Sequence, residues 1–139
     1  MPAKDRYHNA VRHALEVDGW TITADPLTLR VGTRDLYIDL GAEKLLAAER
    51  GSEKIAVEVK TLGGPSPIAS LEQALGQFVL YSDALELLEP ERLLFLAVPE
   101  SAKELLAEPI GQLLLRKGRL RLLVFSEKGS VMQWLPERN

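Results

Sequence analysis

The chain has 139 residues, of which 46% are hydrophobic, so it can build the core of one compact domain covering residues 1–139. It contains no cysteine and only two histidines, which excludes cysteine nucleophiles, cysteine-based zinc sites and most histidine-rich metal centres. The formal net charge of −3 argues against strong unaided binding to nucleic acid, and any metal site would depend on carboxylates.

The first part of the chain predicts a helix followed by two strands. Residues 5–18 carry apolar side chains at helical spacing, and Gly19 is suited to end that helix. Residues 20–23 and 27–31 alternate apolar with polar side chains on either side of Asp25-Pro26, which predicts two strands joined by a turn.

Residues 35–50 are ambiguous, because their first part favours strand and their second part is rich in helix formers. The turn-like composition of residues 50–53 and the strict alternation of residues 54–60 decide for strand. We therefore expect residues 45–60 to form an antiparallel hairpin. In its second strand Ile55, Val57 and Val59 face one side, and the intervening residues, Glu58 and Lys60 among them, face the other.

The second half alternates helices and strands. The apolar run 93–98 is typical of a strand covered on both faces, so helices should lie above and below the sheet. We predict an α/β fold, a mixed sheet flanked by helices, in the order α-β-β-β-α-β-α-β-β. The elements after the hairpin are a helix over 68–88, a strand over 93–98, a helix over 102–115 and strands over 119–125 and 131–135.

Two carboxylates and one amine are predicted to meet at strand ends. Glu58 and Lys60 share one strand face, and Asp39 ends another apolar stretch 19 residues earlier. Phosphodiester hydrolysis needs such a set, because oxygen ligands hold a hard cation and an amine can orient the attacking water. An acidic-apolar-basic triplet alone is weak, since exposed strands often carry a solvated ion pair.

Asp35 competes with Asp39 for the role of first carboxylate, because a position four residues earlier on the same strand would have the same facing. Glu43 would share this face as a further ligand, although a surface glutamate without any functional role is the simpler explanation. In the following helix Gln77 and Tyr81 lie one turn apart, and Gln73 extends their stripe by another turn.

Together, Asp39, the Glu58-Val59-Lys60 triplet and the Gln77…Tyr81 pair resemble the PD-(D/E)XK nuclease superfamily, and the last pair resembles the QxxxY motif of its RecB-like branch. From residue 5 to residue 134 the chain resembles, more closely, the XisH family, the fdxN element excision controlling factors of cyanobacteria. That likeness is strongest in segments 37–43, 54–60, 64–66 and 74–77.

The resemblance implies a restriction-endonuclease-like fold with Asp39 and Glu58 holding magnesium or manganese. It implies that Lys60 positions the attacking water and that Gln77 and Tyr81 contact DNA or brace the site. His8, with Glu16 as a poorer match, would be the contribution of the first helix, although an exposed helical residue needs no function. Ile38 stands where the superfamily has its proline.

For function, the resemblance implies participation in programmed DNA excision, and our leading hypothesis is a metal-dependent deoxyribonuclease or nuclease-like DNA-processing factor. Its partners would be DNA, a XisI-like protein and a site-specific recombinase. Self-association into a homo-oligomer is left as an open alternative. The alternative is a non-catalytic module that keeps the nuclease fold to bind the XisI-like partner or DNA. We expect a cytoplasmic location without membrane contact, since no apolar run approaches the roughly 20 residues of a membrane span.

Overall fold

The helices and strands were located in a computed structural model, which describes residues 7–47 and 51–137. The helices in this part of the chain are α1 (His8–Val17), α2 (Pro67–Leu88), α3 (Lys103–Ala107) and α4 (Pro109–Arg116), with a 3-10 turn at Glu100–Ala102. The strands are β1 (Thr21–Ala24), β2 (Leu27–Val31), β3 (Arg34–Ile38), β4 (Leu40–Ala47), β5 (Gly51–Val59), β6 (Arg92–Pro99), β7 (Leu122–Phe125) and β8 (Val131–Leu135).

Six of the strands form one mixed sheet in the order β1-β4-β5-β6-β7-β8. β5, β6 and β7 run parallel to one another, while β1, β4 and β8 pair antiparallel with their neighbours. β2 and β3 form a separate antiparallel hairpin. The three parallel strands occupy the centre, which suits their apolar sequences because such strands are buried on both faces.

The sheet separates two apolar layers, and the alternation of β5 assigns one set of side chains to each. Ala56 lies in the layer that contains α2, together with Leu71 and Phe78. Val57 and Val59 lie in the opposite layer, which contains α1. The chain therefore has the expected α/β fold with a mixed sheet flanked by helices. No helix in the described part is both long and apolar enough to cross a membrane.

The ends of the two longest helices follow from local sequence. Gly19, with φ of 99°, ends α1 in the left-handed conformation, and its N–H donates to the carbonyl of Glu16. At the start of α2 the Ser66 hydroxyl accepts the N–H of Ala69 at 3.3 Å, and Pro67 occupies the first turn, where no N–H is needed.

Two parts of the predicted element order were wrong. Five strands, rather than three, lie between α1 and α2 in the described residues. The single helix predicted over 102–115 is divided into α3 and α4, because Pro109 cannot continue a helix and holds Glu108 extended at ψ of 159°. Pro109 instead begins α4.

The predicted hairpin is confirmed for the described residues, since β4 and β5 pair antiparallel from Leu40↔Val57 to Ala47↔Gly51. The turn was predicted at residues 50–53, but residues 51–53 belong to β5. Position 50, also part of that predicted turn, lies outside the described residues. Small polar residues such as Gly51 and Ser52 also occur where strands begin, so their presence did not distinguish a turn from the start of β5.

Candidate functional site

Asp39 and Glu58 are joined by reciprocal hydrogen bonds between main chain and side chain. Asp39 follows β3 and directly precedes β4, while Glu58 is the penultimate residue of β5. The N–H of Asp39 donates to Glu58 Oε1 at 3.1 Å, and the N–H of Val59 donates to Asp39 Oδ2 at 2.8 Å. Because the pairing Leu40↔Val57 continues by one step, the two carboxylates stand opposite each other at the end of the sheet.

Lys60 brings the amine to the same place. Its main-chain N–H donates to the carbonyl of Ala97 at 2.9 Å, which extends the parallel pairing with β6 by one residue and fixes the direction of the side chain. Its Nζ lies 3.4 Å from Glu58 Oε2. The structure thus brings together the predicted Asp39, Glu58 and Lys60 on the α2 side of the sheet.

Glu58 is unusually buried for a carboxylate, with 7% of its surface exposed. Burial, the largest cause, and the neighbouring charge of Asp39 together raise its pKa from 4.5 to about 7, against the opposing attraction of Lys60. One ammonium therefore does not compensate two crowded carboxylates. A pKa near neutrality in such a setting is typical of functional sites.

Tyr81 and Gln77 lie on the side of α2 that faces this cluster. Burial raises the pKa of Tyr81, and the charges of Glu58 and Asp39 raise it further, so its hydroxyl is close enough to be influenced by both carboxylates. The Oε1 atom of Gln77 is buried, and no donor among the described residues reaches it. A buried acceptor without a partner is the kind of group that a bound ligand or water satisfies.

The donor set fits a small hard cation such as magnesium or manganese. Each carboxylate uses one oxygen in its bond to a main-chain N–H, which leaves the second oxygen of Asp39 and of Glu58 outside that bond. No group of three or more His, Asp or Glu side chains is arranged for a metal within residues 7–47 and 51–137. Two carboxylates suffice for magnesium when water and substrate phosphate complete its shell.

The other two candidate carboxylates have different partners. Asp35 belongs to β3 in the two-stranded sheet and pairs with Arg30 across the hairpin at 3.2 Å. Its predicted common facing with Asp39 was wrong, because the chain leaves one sheet after Ile38 and enters the other at Leu40. Glu43 lies 3.8 Å from the guanidinium of Arg92.

His8 is buried rather than exposed, and it takes part in a cluster that the sequence did not predict. Its Nε2 lies 2.9 Å from Asp25 Oδ1, and Arg12 Nη1 donates to Asp25 Oδ2 at 2.6 Å. Glu16, the poorer candidate, lies 3.8 Å from Arg12. Since Ala24 pairs with Gly41, Asp25 follows β1 at the same end of the sheet as Asp39. The i, i+4 spacing of His8 and Arg12 was the available signal.

Arg92 was also missed, although it is the most buried arginine of the described chain at 7% exposure. Its Nη1 donates to the carbonyl of Ile55 at 2.8 Å, and its Nε donates to Glu89 Oε1 at 3.2 Å. This arginine ties the start of β6 to β5 and to the end of α2. Its role is structural, at the end of the sheet away from Lys60.

Comparison with known proteins identifies the family. The model of the family described as XisH protein matches residues 1–132. A crystal structure of an XisH family protein from Nostoc punctiforme PCC 73102 is 39% identical, with a TM-score of 0.83 over 94% of this chain and 99% of that one. A crystal structure of a fdxN element excision controlling factor protein from Anabaena variabilis is 38% identical, with a TM-score of 0.83 over 95% and 99%. No curated protein matches the chain significantly. The chain belongs to the XisH family.

Proposed function

We propose that this protein is a metal-dependent deoxyribonuclease of the PD-(D/E)XK type that acts in the excision of DNA elements. The observation that carries the proposal is the pair of reciprocal hydrogen bonds between Asp39 and Glu58. The ammonium of Lys60 lies beside this pair, 3.4 Å from Glu58 Oε2. Two carboxylates fixed by main-chain donors and one amine at a sheet end are the groups that phosphodiester hydrolysis needs.

Each residue has a part in this chemistry. Asp39 and Glu58 hold the cation, which when bound offsets the charge that develops on the phosphate. Lys60 orients the attacking water and donates to a phosphate oxygen. Tyr81 and Gln77, on the facing helix, hold the DNA strand against the sheet end. Because the main chain fixes both carboxylates before substrate arrives, little reorganisation is needed in the transition state.

The biological setting follows from the family. The relative from Anabaena variabilis is named a fdxN element excision controlling factor, and we propose the same role here. The net charge of −3 is low for a protein that holds DNA alone, since phosphate binding usually depends on a basic excess. We therefore propose that a XisI-like protein and a site-specific recombinase supply many of the contacts to DNA.

One observation favours a second function, a non-catalytic module that binds a XisI-like partner or DNA. Ile38 occupies the position before Asp39 where the superfamily has proline, and it is fully buried in the core. A buried isoleucine suits the core at this position but departs from the catalytic motif of the superfamily. In this alternative the same pocket is a recognition surface.

The test is cleavage of single- and double-stranded DNA with magnesium or manganese, with and without the XisI-like partner. Glu58→Gln should remove most cleavage because the amide is nearly isosteric but binds a divalent cation far less strongly. The matched control is Glu72→Gln, the same change at an exposed position on α2, which should cleave like the parent protein.

Two outcomes count against the catalytic proposal. Undiminished cleavage by Glu58→Gln would eliminate this site. Absence of cleavage by the parent protein under every condition, with loss of partner binding in Glu58→Gln but not in Glu72→Gln, would establish the recognition module instead.

A further inference from the structure

A small cavity continues from Lys60 along the start of α2. Its volume is about 230 Å³, and it lies between the end of β5 with its following loop and the first turns of the helix. Its lining residues are Val59, Lys60, Thr61, Leu62, Ser70, Gln73 and Ala74. Lys60 thus borders both the carboxylate cluster and this cavity, so a ligand in the cavity would lie beside the scissile phosphate.

The cavity is chemically suited to an anion. Its lining residues carry one ammonium, two hydroxyls and one side-chain amide among their polar groups, and none of them is acidic. The Ser70 hydroxyl donates to the carbonyl of Gly63 at 2.7 Å, so it braces the loop. Lys60, Thr61 and Gln73 are then the donors for a ligand. Phosphate oxygens accept hydrogen bonds from ammonium, hydroxyl and amide groups alike.

The loop that carries Thr61 is held in a specific shape. Leu62 has φ of 54°, a left-handed backbone conformation that residues other than glycine rarely adopt. Only 5% of its surface is exposed. Burial of Leu62 in the α2 layer and the Ser70–Gly63 bond maintain this conformation. Unusual backbone conformations that the surroundings enforce often mark ligand-binding segments.

The size of the cavity indicates which part of DNA it takes. It is smaller than the roughly 300 Å³ at which pockets for drug-sized ligands begin, and it is continuous with the proposed site through Lys60. A single sugar–phosphate unit of a strand already held at Asp39 and Glu58 meets both conditions.

We propose that this cavity is a subsite for the phosphate next to the scissile one, with Thr61 and Gln73 as its donors and Lys60 shared between the two phosphates. The inference rests on the proposed function for the position of the scissile phosphate. Gln73 therefore aligns the strand, and its loss should weaken substrate binding more than the chemical step.

The test is a titration of the isotope-labelled full chain with thymidine bisphosphate, which carries a phosphate on each sugar hydroxyl, without metal. Amide resonances of Thr61 and Gln73 should shift and saturate. Gln73→Glu should weaken binding about tenfold, because a carboxylate replaces a donor of nearly equal size beside the phosphate. The control is Gln133→Glu, the same charge change on β8, with binding expected within about twofold of the parent.

Equal weakening by both variants, or shifts confined to residues outside the cavity, would overturn the subsite. So would absence of saturable binding by the parent chain. Failure of the nuclease proposal looks different: bisphosphate binds as expected while no DNA is cleaved. If DNA is cleaved, Gln73→Glu should raise KM about tenfold with kcat little changed. An unchanged KM would refute the subsite and leave the nuclease intact.

Discussion

The carboxylate of Glu58 accepts the main-chain N–H of Asp39 at 3.1 Å, while the carboxylate of Asp39 accepts the N–H that follows Glu58 at 2.8 Å. Each acidic side chain therefore bonds to the main chain of the segment that carries the other, in addition to facing it. Their closeness is set by the backbone, and it adds to the effect of burial, the larger cause, in raising the pKa of Glu58.

The stability of the metal-free protein should depend on pH through Glu58. Between pH 4.5 and about 7 the folded state keeps a proton on Glu58 that the unfolded state has released, so stability falls as pH rises across this window. The fall amounts to as much as about 3 kcal/mol. Glu58→Gln should remove this fall and be more stable than the parent above pH 7.

Urea denaturation from pH 4.5 to pH 8 in chelator measures this difference, with Glu72→Gln as the control that should follow the parent. Parallel stability curves for Glu58→Gln and the parent would contradict the raised pKa.

Cation binding should displace the proton from Glu58. A ligand carboxylate must be ionised, so magnesium or manganese should bind more tightly as pH rises to about 7 and should release about one proton per cation near pH 6. Calorimetry in two buffers of different ionisation enthalpy counts the protons. Asp35→Asn, which removes an exposed carboxylate paired with Arg30, should change neither value. If proton release were lost in Asp35→Asn and kept in Glu58→Gln, the cation would bind at a site other than Glu58.

Two glycines should respond in opposite ways to alanine. A Cβ on Gly111 of α4 would lie 2.5 Å from the carbonyl oxygen of Leu106, so Gly111→Ala should destabilise by about 1–3 kcal/mol through forced separation of α3 and α4. A Cβ on Gly76 of α2 meets nothing within 4 Å, and Gly76→Ala should stabilise by about 0.5–1 kcal/mol. Chemical denaturation measures both. Equal effects would refute the tight crossing at Gly111.

Sequence reasoning succeeded where one local period determines the structure. The alternation of residues 54–60 predicted both β5 and the separation of Val57 from Ala56, because a two-residue period assigns faces without tertiary information. It failed between Asp35 and Asp39, because the chain passes from one sheet to another between Ile38 and Leu40. The direction of a side chain in the first sheet therefore does not predict the direction of one in the second.

The buried clusters were beyond sequence reasoning for a related reason. The pairing of His8 with Asp25 requires knowledge that α1 packs at the end of β1, and the bonds of Arg92 require the register of β5 against β6. The division of the third helix was readable at Pro109, but a proline in the first turn of a helix is also well tolerated.

The measurement that tests the central claim most directly is magnesium-dependent DNA cleavage by Lys60→Ala, made beside calorimetric binding of the same cation. We expect cleavage to be lost while the cation still binds, since in the proposed mechanism the amine acts on water and phosphate, and the carboxylates of Asp39 and Glu58 remain. Lys117→Ala, at an exposed position after α4, should retain both cleavage and binding. Cleavage by Lys60→Ala at the rate of the parent protein would contradict the assignment of this cluster as a nuclease site.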